Sequence, residues 1–417
     1  MNPERLRIQI AKLLDEYAGK AVIRIGLVLR IFRKGKEPEE IKKILFIKFW
    51  GIGSIILAEP ALRCLQGRHP GVEIHFLTLR QNRELFSMIP LISKLHWLEI
   101  KQLPLIPLKS ILLIRKLRNE RYDLIFDGEF FVHYSAIIGR IARPAQLIGF
   151  GRPKGMKAHL LDVRVPFLEN IHTTQQYMNL VQENWILRKE RTGDKPCLEL
   201  ADYTRPDFVF GDSRYIVLNI NASPLATERR WPRERFLFLA ESLLREFSLD
   251  LILIGSKSER EYVEPLEKVL ANPTRVHNLA GKLRLPDVAY LLKNAVVLIS
   301  NDSGPVHLAS ALDTPVVAFY GPETPKRYGP LSSKRLVFYQ GLWCSPCMSV
   351  ENAKTVNCIN NLACMKGIET DAVIRRVCGF LEKLFEIEKE RSGQLVNGIK
   401  YDIGLDHVMS GRVRGAQ

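Results

Sequence analysis

The stretch VVLISNDSGPVHLASALDTPVVAFYGPETP, residues 296–325, decides the fold. An apolar run ends in Asn301-Asp302-Ser303-Gly304-Pro305, a helical pattern carrying His307 follows at once, and a second apolar run breaks at Tyr320-Gly321-Pro322. A strand, a helix and a strand in such short compass read as part of a parallel sheet, whose ligands gather at the carboxyl ends of the strands. Pro305 suits the first turn of a helix. The amides near Ser303 and Gly304 then stand at a helix start, which attracts an anion with ~0.3–1 kcal/mol per exposed charge. Gly304 permits a phosphate to approach closely. Asp302 repels a phosphate and better accepts hydrogen bonds from sugar hydroxyls. A plain helix cap of Asx or Ser type accounts for the same residues without a ligand.

Outward from this stretch the same alternation recurs. KKILFIKF (42–49), VEIHFLTL (72–79), DLIFDGEF (123–130) and AQLIGF (145–150) read as short buried strands with helical periodicities between them. The pattern breaks across 166–212 and resumes with RYIVLNINAS (214–223), LDLILIGS (249–256), AVVLIS (295–300) and PVVAFYG (315–321). Strands alternating with helices predict an α/β protein of two Rossmann-like domains with parallel sheets. The expected division is an N-terminal helical extension at 1–40, a first domain at 41–185, a linker at 186–212 and a second domain at 213–345. A cysteine-containing segment with a C-terminal helix follows at 346–387, and 388–417 reads as a disordered tail.

The chain of 417 residues is long for one core. Its formal charge of +16 favours anionic partners. Nucleic acid is not expected among them, because no basic-aromatic motif accompanies the charge. No continuous hydrophobic signal segment opens the sequence. AVIRIGLVLRIF (21–32) is too short to span a bilayer, yet with Arg30, Arg33, Lys34 and Lys36 it suits an anionic membrane surface as well as a face of the protein itself. Four C-terminal cysteines read C-x2-C-x10-C-x5-C from Cys344 through Cys347 and Cys358 to Cys364. Clustered thiols in a cytosolic protein suggest zinc before disulfides, but the spacing is irregular for a zinc ribbon, and no metal or other cofactor is assigned.

Two further constellations complete the second domain. NINASPLATERRWPRERF carries Ser223 and Thr227 and then Arg229 and Arg230, hydroxyls and guanidinium groups that suit a pyrophosphate or form a solvated charge run. ILIGSKSERE ends a strand at Gly255, with Glu259 four residues on and able to take a ribose hydroxyl pair.

Together, SNDSGPVHLASALDTPVVAFYGPETPKRYGP, NASPLATERRWPRERFLFLA and KKILFIKFWGIGSIILAEPALRCLQGRHPGVEIHFLT resemble glycosyltransferase family 9, the lipopolysaccharide heptosyltransferases, over roughly 43–380. The resemblance implies two Rossmann-like domains facing a cleft, the glycosyltransferase B fold, and metal-independent inverting transfer from a nucleoside-diphosphate sugar, usually ADP-heptose. It implies a lipopolysaccharide-core acceptor reached from the cytoplasm, at the inner face of the membrane. It puts Ser303, Gly304 and Pro305 on the donor diphosphate, Asp302 towards the donor sugar, Arg229 on the phosphate and Glu259 near the nucleoside. His307 serves packing or contacts the ligand. One departure stands out. Where the family carries Gly-Asp, with the aspartate as general base, this chain reads Gly51-Ile52-Gly53-Ser54, and an unassisted serine hydroxyl does not take a proton near neutral pH. Asp127 and Glu129, at the end of DLIFDGEF, are the expected substitutes, while Glu59 reads as a surface helix residue. The alternatives are an inactive relative that binds nucleotide sugar or glycan, and a sugar-nucleotide epimerase of the same architecture.

Overall fold

A computed structural model describes residues 10, 13–28, 32, 35–99, 106–130, 132–182, 195–200, 214–223, 226–270, 274–349, 356 and 358–397. The chain divides into two compact units, Met1–Ala201 and Asp202–Gln417.

In the first unit a π-helical turn Asp15–Gly19 leads into α1 (Lys20–Val28), and then come β1 (Lys43–Ile47), α2 (Ile52–Arg68), β2 (Glu73–Leu79), β3 (Lys94–Leu98), α3 (Ile106–Glu120), β4 (Leu124–Asp127), α4 (His133–Ile141), β5 (Gln146–Phe150), β6 (Val163–Val165) and α5 (Thr173–Val181). The second unit holds β7 (Tyr215–Asn219), α6 (Arg233–Glu246), β8 (Asp250–Leu253), α7 (Arg260–Val269), β9 (Val276–Asn278), α8 (Leu285–Asn294), β10 (Val297–Asn301), α9 (Gly304–Ala311), β11 (Val316–Phe319), α10 (Pro325–Tyr328), β12 (Arg335–Phe338), α11 (Ala363–Lys366) and α12 (Thr370–Asn397).

Both sheets are parallel and six-stranded, in the orders β3-β2-β1-β4-β5-β6 and β12-β11-β10-β7-β8-β9. Each has the doubly wound order whose direction reverses once, between β1 and β4 and between β7 and β10, and ligands of such sheets bind outside the carboxyl ends at that reversal. The central strands are apolar because helices cover both faces: Ile44, Leu45, Phe46 and Ile47 of β1, and Val297, Leu298 and Ile299 of β10, are all fully buried.

The N-terminal segment is docked on the first unit. Ile23 packs with Ala136, Ile137 and Leu160, and the Asp15 carboxylate accepts the His133 and Tyr134 amides at 2.9 and 2.7 Å, capping α4. Most of the linker expected at 186–212 lies outside the described residues, but 195–200 packs on the first unit, where Glu59 accepts the Cys197 amide at 2.8 Å. Glu59 is therefore no surface residue. It is 2 % exposed, paired to Arg63 at 2.6 Å, and burial raises its pKa. At the other end α12 runs to Asn397, ten residues into the stretch read as a tail, and 398–417 lie outside the described residues.

Towards the amino ends of the first sheet, Tyr122 bridges two buried histidines, 2.8 Å from His75 Nδ1 and 3.0 Å from His96 Nε2. Burial lowers the His96 pKa from 6.5 to about 4, with His75 adding in the same direction. Between those values the unfolded chain binds the proton that the folded chain refuses, so stability must fall as pH drops from 6.5 towards 4, by ~3 kcal/mol for this group. The urea midpoint is expected to follow that fall, and His96→Gln, which does not titrate, to flatten it. An unchanged pH slope in the variant would remove His96 as the cause.

Candidate functional site

At the reversal of the second sheet, the ends of β7 and β10 are joined by side-chain amides. Asn219 Nδ2 donates to Ser300 Oγ at 2.9 Å and to Ser303 Oγ at 2.8 Å, Asn221 Nδ2 to Asn219 Oδ1 at 3.2 Å, and Asn301 Nδ2 to the Ile220 carbonyl at 2.8 Å. Asn301 Oδ1 accepts the Trp231 amide at 2.9 Å. Trp231 is fully buried and stacks on Phe319 at 4.6 Å. That anchor holds the preceding Arg229 so that its Nη1 lies 3.2 Å from Asp302 Oδ2. Arg230 turns elsewhere, its guanidinium 4.0 Å above the Tyr262 ring. The two arginines are thus not a solvated charge run.

Ser303 is the N-cap residue of α9, but its hydroxyl is spent on Asn301, Ser300 and Asn219 and makes no cap bond. Pro305 occupies the first turn. The helix start is left to amides, and a Cβ on Gly304 would meet nothing within 4 Å. The approach to this helix start is open. Gly255 is a glycine for the opposite reason, since a Cβ there would stand 2.7 Å from Asn221 Nδ2. Glu259 takes part in a capping box, with its Oε2 accepting both the amide and the hydroxyl of Ser256 at 2.8 Å. Ser223 is half-buried, and its carbonyl accepts the Ala226 amide at 2.9 Å. His307 is buried, 6.2 Å from the Tyr328 ring. The structure thus gathers Asp302, Ser303, Gly304, Pro305 and Arg229 at one strand end and links Gly255 to them through Asn221 and Asn219.

The reversal of the first sheet carries charges instead. Gly51 starts α2 at φ 82° and is followed by the half-buried Gly53 and Ser54. Glu129 holds the chain before that loop: its Oε1 accepts the amides of Phe49 and Trp50 at 2.7 and 3.0 Å, and its Oε2 lies 2.7 Å from Lys48 Nζ. Asp127 is fully buried, 2.9 Å from Lys157 Nζ and 3.0 Å from Ser135 Oγ. Burial raises its pKa against the pull of Lys157.

Among the described residues, His75, His96 and Glu120 form a group of metal-type ligands with atoms within 4.8 Å of one another. Tyr122 already engages both imidazoles, and Lys43 and Lys94 pair with Glu120, so the cluster is a hydrogen-bonded and ion-paired one. The amide network of Asn219, Asn221 and Asn301 was not singled out in the sequence. Its signal is a polar residue closing each buried apolar run.

The family model described as glycosyltransferase family 9 (heptosyltransferase) matches residues 111–356, more than half of the chain. Lipopolysaccharide heptosyltransferase 2 of Escherichia coli K12 is 27 % identical over 308 residues, covering 71 % of this chain and 87 % of that protein. The lipopolysaccharide core heptosyltransferase OpsX of Haemophilus influenzae is 25 % identical over 312 residues, covering 70 % and 82 %. Among solved structures, E. coli ADP-heptose lps heptosyltransferase II aligns with a TM-score of 0.64 at 23 % identity, over 82 % of this chain and 99 % of that one. E. coli heptosyltransferase WaaC with ADP aligns with 0.61 at 19 %, over 81 % and 99 %. The fold is theirs.

Because the space at Gly304 is open, Gly304→Val is expected to keep the thermal midpoint and to weaken nucleoside-diphosphate binding at least tenfold by calorimetry, an effect of ~1.4 kcal/mol. Unchanged affinity would take the diphosphate away from this helix start.

Proposed function

The chain belongs to glycosyltransferase family 9, the heptosyltransferases, and from that premise we propose that it transfers a heptose-like sugar from ADP-heptose to a lipopolysaccharide-core acceptor with inversion. The observation that carries the donor half is the open helix start at Gly304 beside the Arg229–Asp302 pair. In the reaction the acceptor hydroxyl attacks the anomeric carbon, opposite the bond to the leaving ADP, through an oxocarbenium-like transition state. Negative charge builds on the diphosphate. The α9 amides meet that charge with donors already in place, the kind of term that is worth ~10²–10³ in kcat for one hydrogen bond, and Arg229 joins them once it turns from Asp302 to the phosphate. Asp302 is then free for the sugar hydroxyls, Ser223 stands at the phosphate and Glu259 at the nucleoside, while His307 packs the helix behind them.

For the proton, the proposal is the carboxylate pair at the end of β4, because Ser54 needs a base. Glu129 spends its oxygens on Lys48 and two amides, which supports a part in positioning the glycine loop. Asp127, with its raised pKa, is the better proton acceptor, on condition that acceptor binding uncovers it. A nucleotide-binding relative without turnover is the second reading, favoured by Ser54 itself.

The acceptor is carried on a membrane, and the exposed surface of the first unit supports peripheral attachment at the inner face. Among the described residues no helix is long and apolar enough to cross a membrane. Yet α1, which buries Ile23, also exposes Val22, Ile25 and Val28, and Tyr17 precedes it. A helix apolar on both sides calls for a second cover. Leu108, Ile111 and Leu112 of α3 are exposed too, and Tyr134 links α3 to the π-helical turn before α1, its hydroxyl 2.6 Å from Ser110 Oγ and its amide held by Asp15. Exposed Arg24, Arg115 and Lys116 add charge of the sign that anionic headgroups attract, at roughly 1 kcal/mol each.

Incubation with ADP-heptose and a heptose-deficient core oligosaccharide is expected to add one heptose by mass spectrometry, and Asp127→Asn to lose transfer while keeping donor affinity. Normal turnover in both Asp127→Asn and Glu129→Gln would leave neither carboxylate as the base; no transfer by the parent chain would favour the second reading. Anionic vesicles should bind the chain at low salt and release it at high salt. The triple change Val22→Ser, Ile25→Ser, Val28→Ser should weaken that binding without altering nucleotide affinity, and equal binding would remove α1 from the contact.

A further inference from the structure

Four cysteines with no part in the transfer reaction lie on stretches that meet at one place. The turn between Cys344 and Cys347 hangs on the residues after β11: Ser345 Oγ donates to the Gly321 carbonyl, and the amides of Cys347 and Met348 donate to the Pro322 carbonyl at 3.0 and 2.9 Å. Cys364, on α11, reaches the same residues from the other side, its sulfur 2.9 Å from where a Gly321 Cβ would stand. Cys358 is brought in through Asn360, whose Nδ2 lies 3.7 Å from the Cys344 sulfur. The Cys358 sulfur itself accepts the Leu362 amide at 3.0 Å. That turn holds Asn361 and Leu362 at φ 43° and 57°, an unusual state for a leucine that persists where surroundings impose it. None of the seven cysteines is in a disulfide. The other three lie apart from the four: Cys378 on α12 has Glu246, Glu382 and Arg245 as its charged neighbours, and Cys64 and Cys197 belong to the first unit.

We propose that Cys344, Cys347, Cys358 and Cys364 are the ligands of one tetrahedral metal ion, zinc or iron. Four sulfur ligands select these metals over magnesium or calcium. Burial pushes the Cys364 thiol up to about 11 and raises Cys347 as well, and the neighbouring sulfurs add to both. A cysteine binds a metal as its thiolate, so metal binding releases the thiol protons. Among the described residues no three of these sulfurs lie within 4.8 Å of one another. Loading therefore draws the Cys344–Cys347 turn onto α11, and metal binding is coupled to the order of this segment. Because the turn hangs on Gly321 and Pro322, directly after the strand whose Phe319 carbonyl holds the Asp302 amide at 3.0 Å, the ion braces the strand beside the candidate donor site. The proposal stands whether or not that site takes ADP-heptose.

The test is elemental analysis of the full chain purified under reducing conditions without chelator. One zinc or iron per chain is expected, with loss of the metal in Cys344→Ser and Cys364→Ser and its retention in Cys378→Ser. Exchange into cobalt(II) should give the sulfur-to-cobalt charge-transfer bands and visible ligand-field bands of a tetrahedral thiolate site. Should a serine variant fail to fold, Cys347→His, which keeps a ligand, should retain the ion with shifted cobalt bands. A parent chain carrying only trace metal and giving no cobalt–thiolate absorption would overturn the proposal, as would equal metal loss in Cys378→Ser.

Discussion

The second unit is organised around the side chain of Asn301. It is fully buried, and a buried amide without partners costs a few kcal/mol. Both of its ends are satisfied across strands, by the Trp231 amide on one side and the Ile220 carbonyl on the other. Those two bonds fix the gap between the end of β10 and the chain leaving β7. With Trp231 locked against Phe319 and Phe236, Arg229 has little choice but to lie against Asp302. A single amide thus converts the order of a sheet into the placement of a guanidinium.

The first unit solves the same problem with charge. Where its strand order reverses, Lys48 and Lys157 face Glu129 and Asp127, and all four are buried. Isolated buried charges are very costly, and paired ones are tolerated only with good geometry and further hydrogen bonds, which the amides of Phe49 and Trp50 and the hydroxyl of Ser135 supply. The two reversals differ in chemistry accordingly. Neutral amides join the strand ends of the second sheet, and ion pairs those of the first.

The inner strands were legible in the sequence because burial on both faces leaves them as unbroken apolar runs. The strands that escaped notice, β3, β6, β9 and β12, are the four sheet edges. Polar residues interrupt β3 and β9, which read KLHWL and VHN, since one side of an edge strand has no neighbour. The Asp302-Ser303-Gly304 strand end was legible because its parts are adjacent in sequence. Glu59 was misread for the converse reason: its partner, the Cys197 amide, is 138 positions away, and helical periodicity carries no trace of a strap folding back over it. The N-terminal segment had two readings, packed on the protein or lying on a surface. The structure shows the packing of one face and the exposure of an apolar opposite face.

The cap that Asp15 places on α4 gives that segment reach. The His133 and Tyr134 amides depend on a carboxylate 118 and 119 positions away, and Ser135, next in the same turn, holds Asp127. In terms of local unfolding, the first turn of α4 is only as protected from hydrogen exchange as the docking of the N-terminus allows. Anything that lifts Asp15 off exposes those two amides to solvent and loosens the turn that restrains the buried aspartate. Exchange at His133 and Tyr134 is therefore a built-in reporter of what happens at the far N-terminal surface, read out beside the carboxylates of the first sheet.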